Sequence, residues 1–223
     1  MSNISVFDIM GPIMIGPSSS HTAGAERLGK AARNICGNDI KSATFYLHGS
    51  FAKTYKGHGT DKALVAGILG METDDERIKS SFAIAEEKGI AIKFEEIDLG
   101  NAHPNTVKIE LTKLDDTVVT VTGSSIGGGD IIIINIDGDQ VEFTGKLPVI
   151  IIRHIDKPGM VSKISLIIAL YGVNIATLKV GRQTKGQIAT TVIECDNVLL
   201  AEAVDEINRI SGVTSVRALG AIQ

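Results

Sequence analysis

Residues 148–223 hold the pattern that most narrows what this chain can fold into. VIIIRHI is a β-branched run that reads as a buried strand by length and composition. DKPG turns it. MVSKISLIIALYG sets Val161, Ile164, Leu166, Ile168 and Leu170 on a mostly buried helix that ends at Gly172, where a glycine commonly closes a helix. VNIATLKVGRQ, TKG and QIATTVIEC then read as strand, turn and strand. LLAEAVDEINRI carries Leu200, Val204, Ile207 and Ile210 at helical spacing with acids on the other face. VTSVRAL closes as a strand. The order β-α-β-β-α-β is the ferredoxin-like split βαβ arrangement, and about 75 residues are enough for one such unit.

The preceding residues read as a separate, less regular α+β piece. A helix is predicted from Ala23 to Cys36, with Ala25, Leu28, Ala32 and Ile35 on one face. SATFYLHG predicts a strand, GTDKALVAGILG a helix entered through Thr60 or Asp61, and SSFAIAEEKG a helix ended by Gly89. IAIKFEEI, TVKIELTK, TVVTVTG, DIIIINIDG and QVEFTG predict strands joined by short turns such as LDDT and DGDQ. The expected division is 1–146 and 147–223.

Composition removes several function classes. The net charge is -4, against a general nucleic-acid binder, which needs a basic face to displace counterions. No apolar run approaches the roughly 20 residues that span a bilayer, and the N-terminus has no basic stretch ahead of an apolar one. The expectation is a soluble, cytoplasmic protein without nucleic-acid or membrane partners. Aromatics are only 4%, so the core must be aliphatic. The two cysteines, Cys36 and Cys195, are too few for a cubane iron–sulfur cluster, and no paired Cys/His spacing suggests zinc. No metal ligand is expected on this chain.

Four motifs carry chemistry. In GPSSSHT, the hydroxyls of Ser18, Ser19 and Ser20 cannot all serve one helix cap. His21 and Thr22 extend the cluster to the start of a helix, whose free N–H groups favour an anion; a serine-rich capping turn is the plainer alternative. GAERLGKA nearly matches the phosphate-loop pattern, but Ala31 stands where a magnesium-binding hydroxyl is required, and no strand precedes it. In LHGSFAKTYKGHGTDKA, His48 follows a strand and His58 lies in a Gly-His-Gly loop, able to move a proton near neutral pH or simply to be exposed. Thr60 can bond a carboxylate or cap the next helix, and Lys53, Lys56 and Lys62 make the surroundings cationic. HPNT (103–106) reads as a turn. In GSSIGGGDI, Ser124, Ser125, Gly127 and Gly128 form either an anion-binding loop or a hairpin tip.

In this order, GPSSSHTAGAERLG, LHGSFAKTYKGHGTDKA, HPNT and GSSIGGGDI resemble the β subunit of bacterial iron–sulfur-dependent L-serine dehydratase. The last third resembles an ACT domain like the one ending D-3-phosphoglycerate dehydrogenase. The likeness covers essentially the whole chain. It implies an enzyme that converts L-serine to pyruvate and ammonia without pyridoxal phosphate. A 4Fe-4S cluster, held by the cysteines of a partner α subunit, acts as Lewis acid on the serine hydroxyl. It implies a first domain like the allosteric substrate-binding domain of phosphoglycerate dehydrogenase, and a chain inactive alone. Ser18, Ser19, Ser20, His21 and Thr22 would then hold the substrate carboxylate, with His58 and Thr60 near the reacting centre and His58 as the base. In the ACT piece, Asp156, Gly159 and Asn174 correspond to an effector site, and self-association through that piece is expected. The kinship with phosphoglycerate dehydrogenase leaves a second expectation open: a regulatory module that senses an amino acid or hydroxyacid and controls another enzyme.

Overall fold

The computed structural model describes residues 13–182 and 184–222. The N-terminal stretch 1–12, where no leader is expected, and Gln183, the end of the expected strand VNIATLKVGRQ, lie outside the described residues. Packing divides the chain into two compact units between Gly138 and Asp139.

The first unit contains α1 (Gly24–Cys36), β1 (Ile40–Leu47), α2 (Gly49–His58), α3 (Thr60–Leu69), α4 (Ser81–Glu87), β2 (Ala91–Glu96), β3 (Thr106–Lys113), β4 (Val118–Gly127) and β5 (Asp130–Ile136). Its strands lie in the order β2-β1-β3-β4-β5. β1 and β2 are parallel, and the other neighbours are antiparallel. A parallel pair needs a long crossover, which α2, α3 and α4 supply. The predicted face of α1 is the one that is buried: Ala25, Leu28, Ala32 and Ile35 all leave solvent. They pack on β4, β3 and β5, whose buried Val121, Ile109, Leu111, Ile131 and Ile133 hold the alternate positions that period-2 geometry sends to one side.

α1 and α3 approach so closely that glycine is required where they cross. A Cβ on Gly67 would stand 2.1 Å from the Glu26 carbonyl oxygen, and one on Gly29 would stand 2.4 Å from that of Leu64. Gly29 belongs to the near-match to a phosphate loop; its role here is to admit a neighbouring helix.

Two local expectations are corrected. His58 does not lie in a loop: it is the last residue of α2, and Gly59, in the left-handed conformation, separates α2 from α3. Phe51 and Ala52 bury one side of α2, and that packing carries the helix through Gly57. Ser124 and Ser125 are also not in a loop. They are buried inside β4, where Ser124 faces Thr106 of β3 and Ile132 of β5. Gly127 ends β4, and only Gly128 and Gly129 form the tip.

The second unit contains β6 (Asp139–Phe143), β7 (Val149–Ile155), α5 (Met160–Leu170), β8 (Ile175–Arg182), β9 (Ile188–Cys195), α6 (Ala201–Asn208) and β10 (Val213–Leu219). From β7 onward this is the expected β-α-β-β-α-β order. The sheet order is β10-β7-β9-β8, antiparallel throughout, and β6 lies against β8 and β9. Ile150, Ile152, Ile164, Ile168, Ile193 and Ile207 form the core beneath the two helices. Val161, Leu166 and Leu170 are exposed, contrary to the expected burial; α5 turns Met160, Ile164, Ile167 and Ile168 inward instead. Leu200 is likewise exposed, and Leu199, Ala203 and Ile207 anchor α6.

Candidate functional site

The hydroxyl-rich motif folds into a single π-helical turn, Ser19–Ala23, that leads into α1. Ser18 is its cap, and its Oγ accepts the His21 N–H at 3.3 Å. One serine of the three thus caps the turn, and Ser19 and Ser20 remain partly exposed. Thr22 is buried, and its hydroxyl donates to the His58 carbonyl at 3.5 Å. That contact joins the first motif to the second.

His21 is fixed from several sides. Ser18 Oγ stands 3.4 Å from Nδ1 and Ser50 Oγ stands 3.1 Å from Nε2. The ring meets Phe51 edge-on at 5.4 Å between centroids, and the His58 ring lies 4.8 Å away. Burial, and then the neighbouring His58, hold the His21 pKa below the usual imidazole value. Two close imidazoles disfavour a shared positive charge, so His21 is a neutral ring with a hydroxyl at each nitrogen.

The third and fourth motifs close the other side. The Ser50 N–H donates to the Pro104 carbonyl at 2.7 Å, and the His48 N–H donates to that of Thr106 at 3.0 Å. The expected HPNT turn is present, and the Thr106 hydroxyl donates to the His103 carbonyl at 2.6 Å. With that proton used, the Ser124 hydroxyl, 2.7 Å away, donates to Thr106. Ser125 N–H donates to the Asn105 carbonyl at 3.0 Å. The Ser125 side chain packs on Gly24, where an added Cβ would stand 2.1 Å from its Oγ. The glycine tip is tied to α1 by Arg27, whose Nη1 donates to the Gly129 carbonyl at 2.7 Å. His48, by contrast, accepts the Leu99 N–H at Nδ1, 3.1 Å away, and so pins the loop after β2.

Buried polar atoms in folded proteins nearly always find partners, and exceptions mark strain or a function. Among the described residues, four buried side-chain atoms have none: His58 Nδ1, Thr60 Oγ1, Ser125 Oγ and Glu26 Oε1. Each belongs to one of the quoted motifs. Thr60 is fully buried and opens α3, yet its side chain caps nothing. Glu26 is 1% exposed. Burial pushes its carboxyl up to about 8, with Lys30 opposing and Glu72 adding to the rise. Sequence reasoning passed over Glu26, Ser50 and Thr106. The available signal for Glu26 was its position four residues after Thr22, on the same helix face, among small apolar residues.

In the second unit, Asp156 accepts from Arg182 Nη1 at 2.7 Å and from the Gly186 N–H at 3.0 Å; these bonds, the Gly186 one first, lower its pKa. Asn174 Nδ2 donates to Asp196 at 2.8 Å. Gly159 caps α5 with a positive φ of 85°.

Cys36 and Cys195 are buried and unbridged, one in each unit. Burial, and then Asp196, raise the Cys195 thiol, the opposite of what a thiolate ligand needs. No group of three His, Cys, Asp or Glu among the described residues could hold a metal ion. The residues present therefore do not fit an iron–sulfur cluster. No helix among them is long and apolar enough to cross a membrane.

The four motifs that meet here are the ones quoted for the dehydratase resemblance, and family comparison agrees. Residues 5–135 match the model described as serine dehydratase beta chain, and 148–212 match the ACT domain. The chain belongs to the serine dehydratase beta-chain family. It is 42% identical to the probable L-serine dehydratase, beta chain, of Bacillus subtilis, over 95% of this chain and 96% of that one. It is 44% identical to the L-serine dehydratase, beta chain, of Peptoniphilus asaccharolyticus, over 89% and 90%. D-3-phosphoglycerate dehydrogenase of Methanocaldococcus jannaschii is 24% identical over 87% of this chain but only 37% of its own length. The relatives that match this serine dehydratase family member nearly end to end are thus beta chains of a dehydratase, and the regulatory-module expectation is not favoured.

Proposed function

We propose that this chain is the β chain of an L-serine dehydratase and forms part of the active site that turns L-serine into pyruvate and ammonia. The observation that carries this reading is the set of buried, unpartnered groups, His58 Nδ1, Thr60 Oγ1 and Ser125 Oγ, beside the His21–His58 ring pair. Such a set is costly to bury unless something binds there, since an unpaired buried polar group costs roughly 1–3 kcal/mol.

The reaction removes a proton from Cα and hydroxide from Cβ; the resulting enamine tautomerises and hydrolyses to pyruvate and ammonia. In this reading a 4Fe-4S cluster on the α subunit supplies the Lewis acid that makes hydroxide a workable leaving group, and no pyridoxal phosphate takes part. This chain supplies the rest of the frame. The turn formed by Ser18, Ser19, Ser20, His21 and Thr22 receives the carboxylate. Neutral His21, with a hydroxyl at each nitrogen, orients it. His58 takes the α-proton, and Thr60 bonds the substrate beside it. The Ser125 hydroxyl adds a polar contact from β4, and Gly127, which ends that strand, and Gly128, which begins the tip, border the same region. Orientation of this kind contributes about 7–11 kcal/mol in favourable cases.

The domain division that goes with this reading is a dehydratase-type domain over 1–146 and an ACT unit over 147–223. The ACT unit self-associates, a role supported by the exposed Val161, Leu166 and Leu170 on α5, and takes an effector near Asp156, Gly159 and Asn174. Anaerobic co-expression with an α chain tests the assignment: the pair should yield pyruvate from L-serine and this chain alone none. Full activity from the α chain alone would overturn it.

A further inference from the structure

The hydroxyls at the two nitrogens of His21 are not equivalent, and the difference gives the ring a direction. A serine hydroxyl has one proton and two lone pairs. Ser18 Oγ already accepts the His21 backbone N–H at 3.3 Å while standing 3.4 Å from Nδ1. Among the described residues, Nδ1 is the acceptor left for the Ser18 proton. The other arrangement, with the ring proton on Nδ1, makes one oxygen accept twice from the same residue and leaves the Ser18 proton without an acceptor. A neutral imidazole donates from one nitrogen and accepts at the other. With Nδ1 accepting, Nε2 carries the proton and donates to Ser50 Oγ at 3.1 Å.

Ser50 lies in the first turn of α2, and its backbone is held on both sides. Its N–H donates to the Pro104 carbonyl at 2.7 Å, and its own carbonyl accepts the Thr54 hydroxyl at 2.8 Å. Gly49 before it takes a φ of 58°, and a Cβ there would stand 2.7 Å from the same Pro104 oxygen, so the start of α2 is clamped on the HPNT turn. Phe51 after it is fully buried and meets the His21 ring edge-on. Among the described residues, the hydroxyl bonds only His21 Nε2. It spends a lone pair on that bond and keeps its proton, on a partly exposed residue whose ring partner lies 4.8 Å from the His58 ring. The direction of this chain decides what it can hold. Running from Ser18 through His21 to Ser50, it ends in an O–H donor, and each bond polarises the next. A donor suits a carboxylate, to which hydrogen bonds are about twice as strong as to a neutral acceptor. The reverse direction would end in a lone pair on Ser50 and suit an ammonium group.

We propose that Ser50 is a substrate-binding residue, whose hydroxyl is oriented by the Nε2–H of His21 and donates to the carboxylate of the bound amino acid. The identity of that acid, L-serine, rests on the dehydratase reading; the order of protons along the chain does not. Ser18 and His21 are then positioning residues for Ser50, and His21 acts on the carboxylate through it.

Two measurements test the two halves separately. Ring-nitrogen NMR of the isotopically labelled full chain, with no α subunit, reads the tautomer and needs no variant: His21 should carry its proton on Nε2 and be bare at Nδ1. In Ser50→Ala the Nε2 signal should move, because its acceptor is gone, and the same spectra report whether the variant is folded. In the anaerobically assembled α/β complex, Ser50→Ala should raise KM for L-serine by about tenfold or more, the loss of a hydrogen bond to a charged group, with kcat changed less than KM. A His21 proton on Nδ1 would overturn the proposal, since Ser50 would then present an acceptor. So would a wild-type KM in the Ser50→Ala complex. A wild-type complex that makes no pyruvate would overturn the dehydratase reading, and with it the carboxylate assigned to Ser50, whatever the tautomer.

Discussion

Glu26 offers a direct physical test of how the first unit is built. Its carboxyl is buried with Oε1 unpartnered, and burial raises its pKa from 4.5 to about 8. Between those values the folded chain holds a proton that the unfolded chain has released. Stability therefore falls as pH rises through this window and levels off above about 8. Each decade of proton concentration is worth about 1.4 kcal/mol, so the gap sets a ceiling of about 5 kcal/mol, with about 3 kcal/mol of it already lost at pH 7. Glu26→Gln keeps the shape and removes the ionisation. Urea unfolding of wild type and variant, followed by circular dichroism between pH 5 and pH 8.5, reads the effect. Near pH 5 the two should differ little, because no hydrogen bond of Oε1 is lost. Toward pH 8 the variant should gain on wild type by at least about 2 kcal/mol, within the linkage ceiling. A difference that stays flat across the range would refute the claim that this carboxyl is held protonated by burial.

Two further outcomes follow from the packing and the ring pair. Gly67→Ala sets a methyl group against the Glu26 carbonyl; it should cost about 1–3 kcal/mol, as overpacked cores do, and lower Tm in a thermal melt, whereas an unchanged Tm would mean that the helices separate freely. His58→Ala removes one of the causes that hold the His21 pKa down, leaving burial; ring-proton NMR of the full chain should show His21 titrating at higher pH than in wild type but still below an exposed imidazole, and no movement would mean that the rings do not interact.

The second unit was legible because its signals are periodic and uninterrupted. β-branched runs such as VIIIRHI and QIATTVIEC can hardly be anything but strands, and the glycines between elements fall where the chain turns. Periodicity could not tell which apolar residues of α5 face inward. In a helix apolar on most sides, Val161, Leu166 and Leu170 look like core, and only the sheet beneath decides. In the first unit the misreadings share one cause: small residues that serve tertiary packing look like loop residues in sequence. Gly57 and Gly59 suggested a loop around His58, although Phe51 and Ala52 hold α2 in place. Ser124 and Ser125 resembled a polar tip, although they pair with β3 and β5 inside the sheet. The motif residues themselves were found, because hydroxyls and imidazoles at that density have few other uses. What joins them was not. The contacts of Thr22 with His58, of Ser50 with His21 and of Ser125 with Gly24 span 29 to 102 positions together with the Arg27 tie to Gly129, and no local pattern encodes such distances. Glu26 escaped for the same reason, since a glutamate in the first turn of a helix ordinarily faces water.

The central claim is that this chain supplies a proton-transferring group to a dehydratase active site shared with an α subunit. Its most direct test is pyruvate formation from L-serine by the anaerobically assembled α/β complex carrying His58→Ala, with cluster content and assembly verified against wild type. Loss of turnover by about 10²–10⁴-fold, the range of positioned acid–base groups, with an intact cluster is the predicted result. Near-normal turnover in the same complex would contradict it.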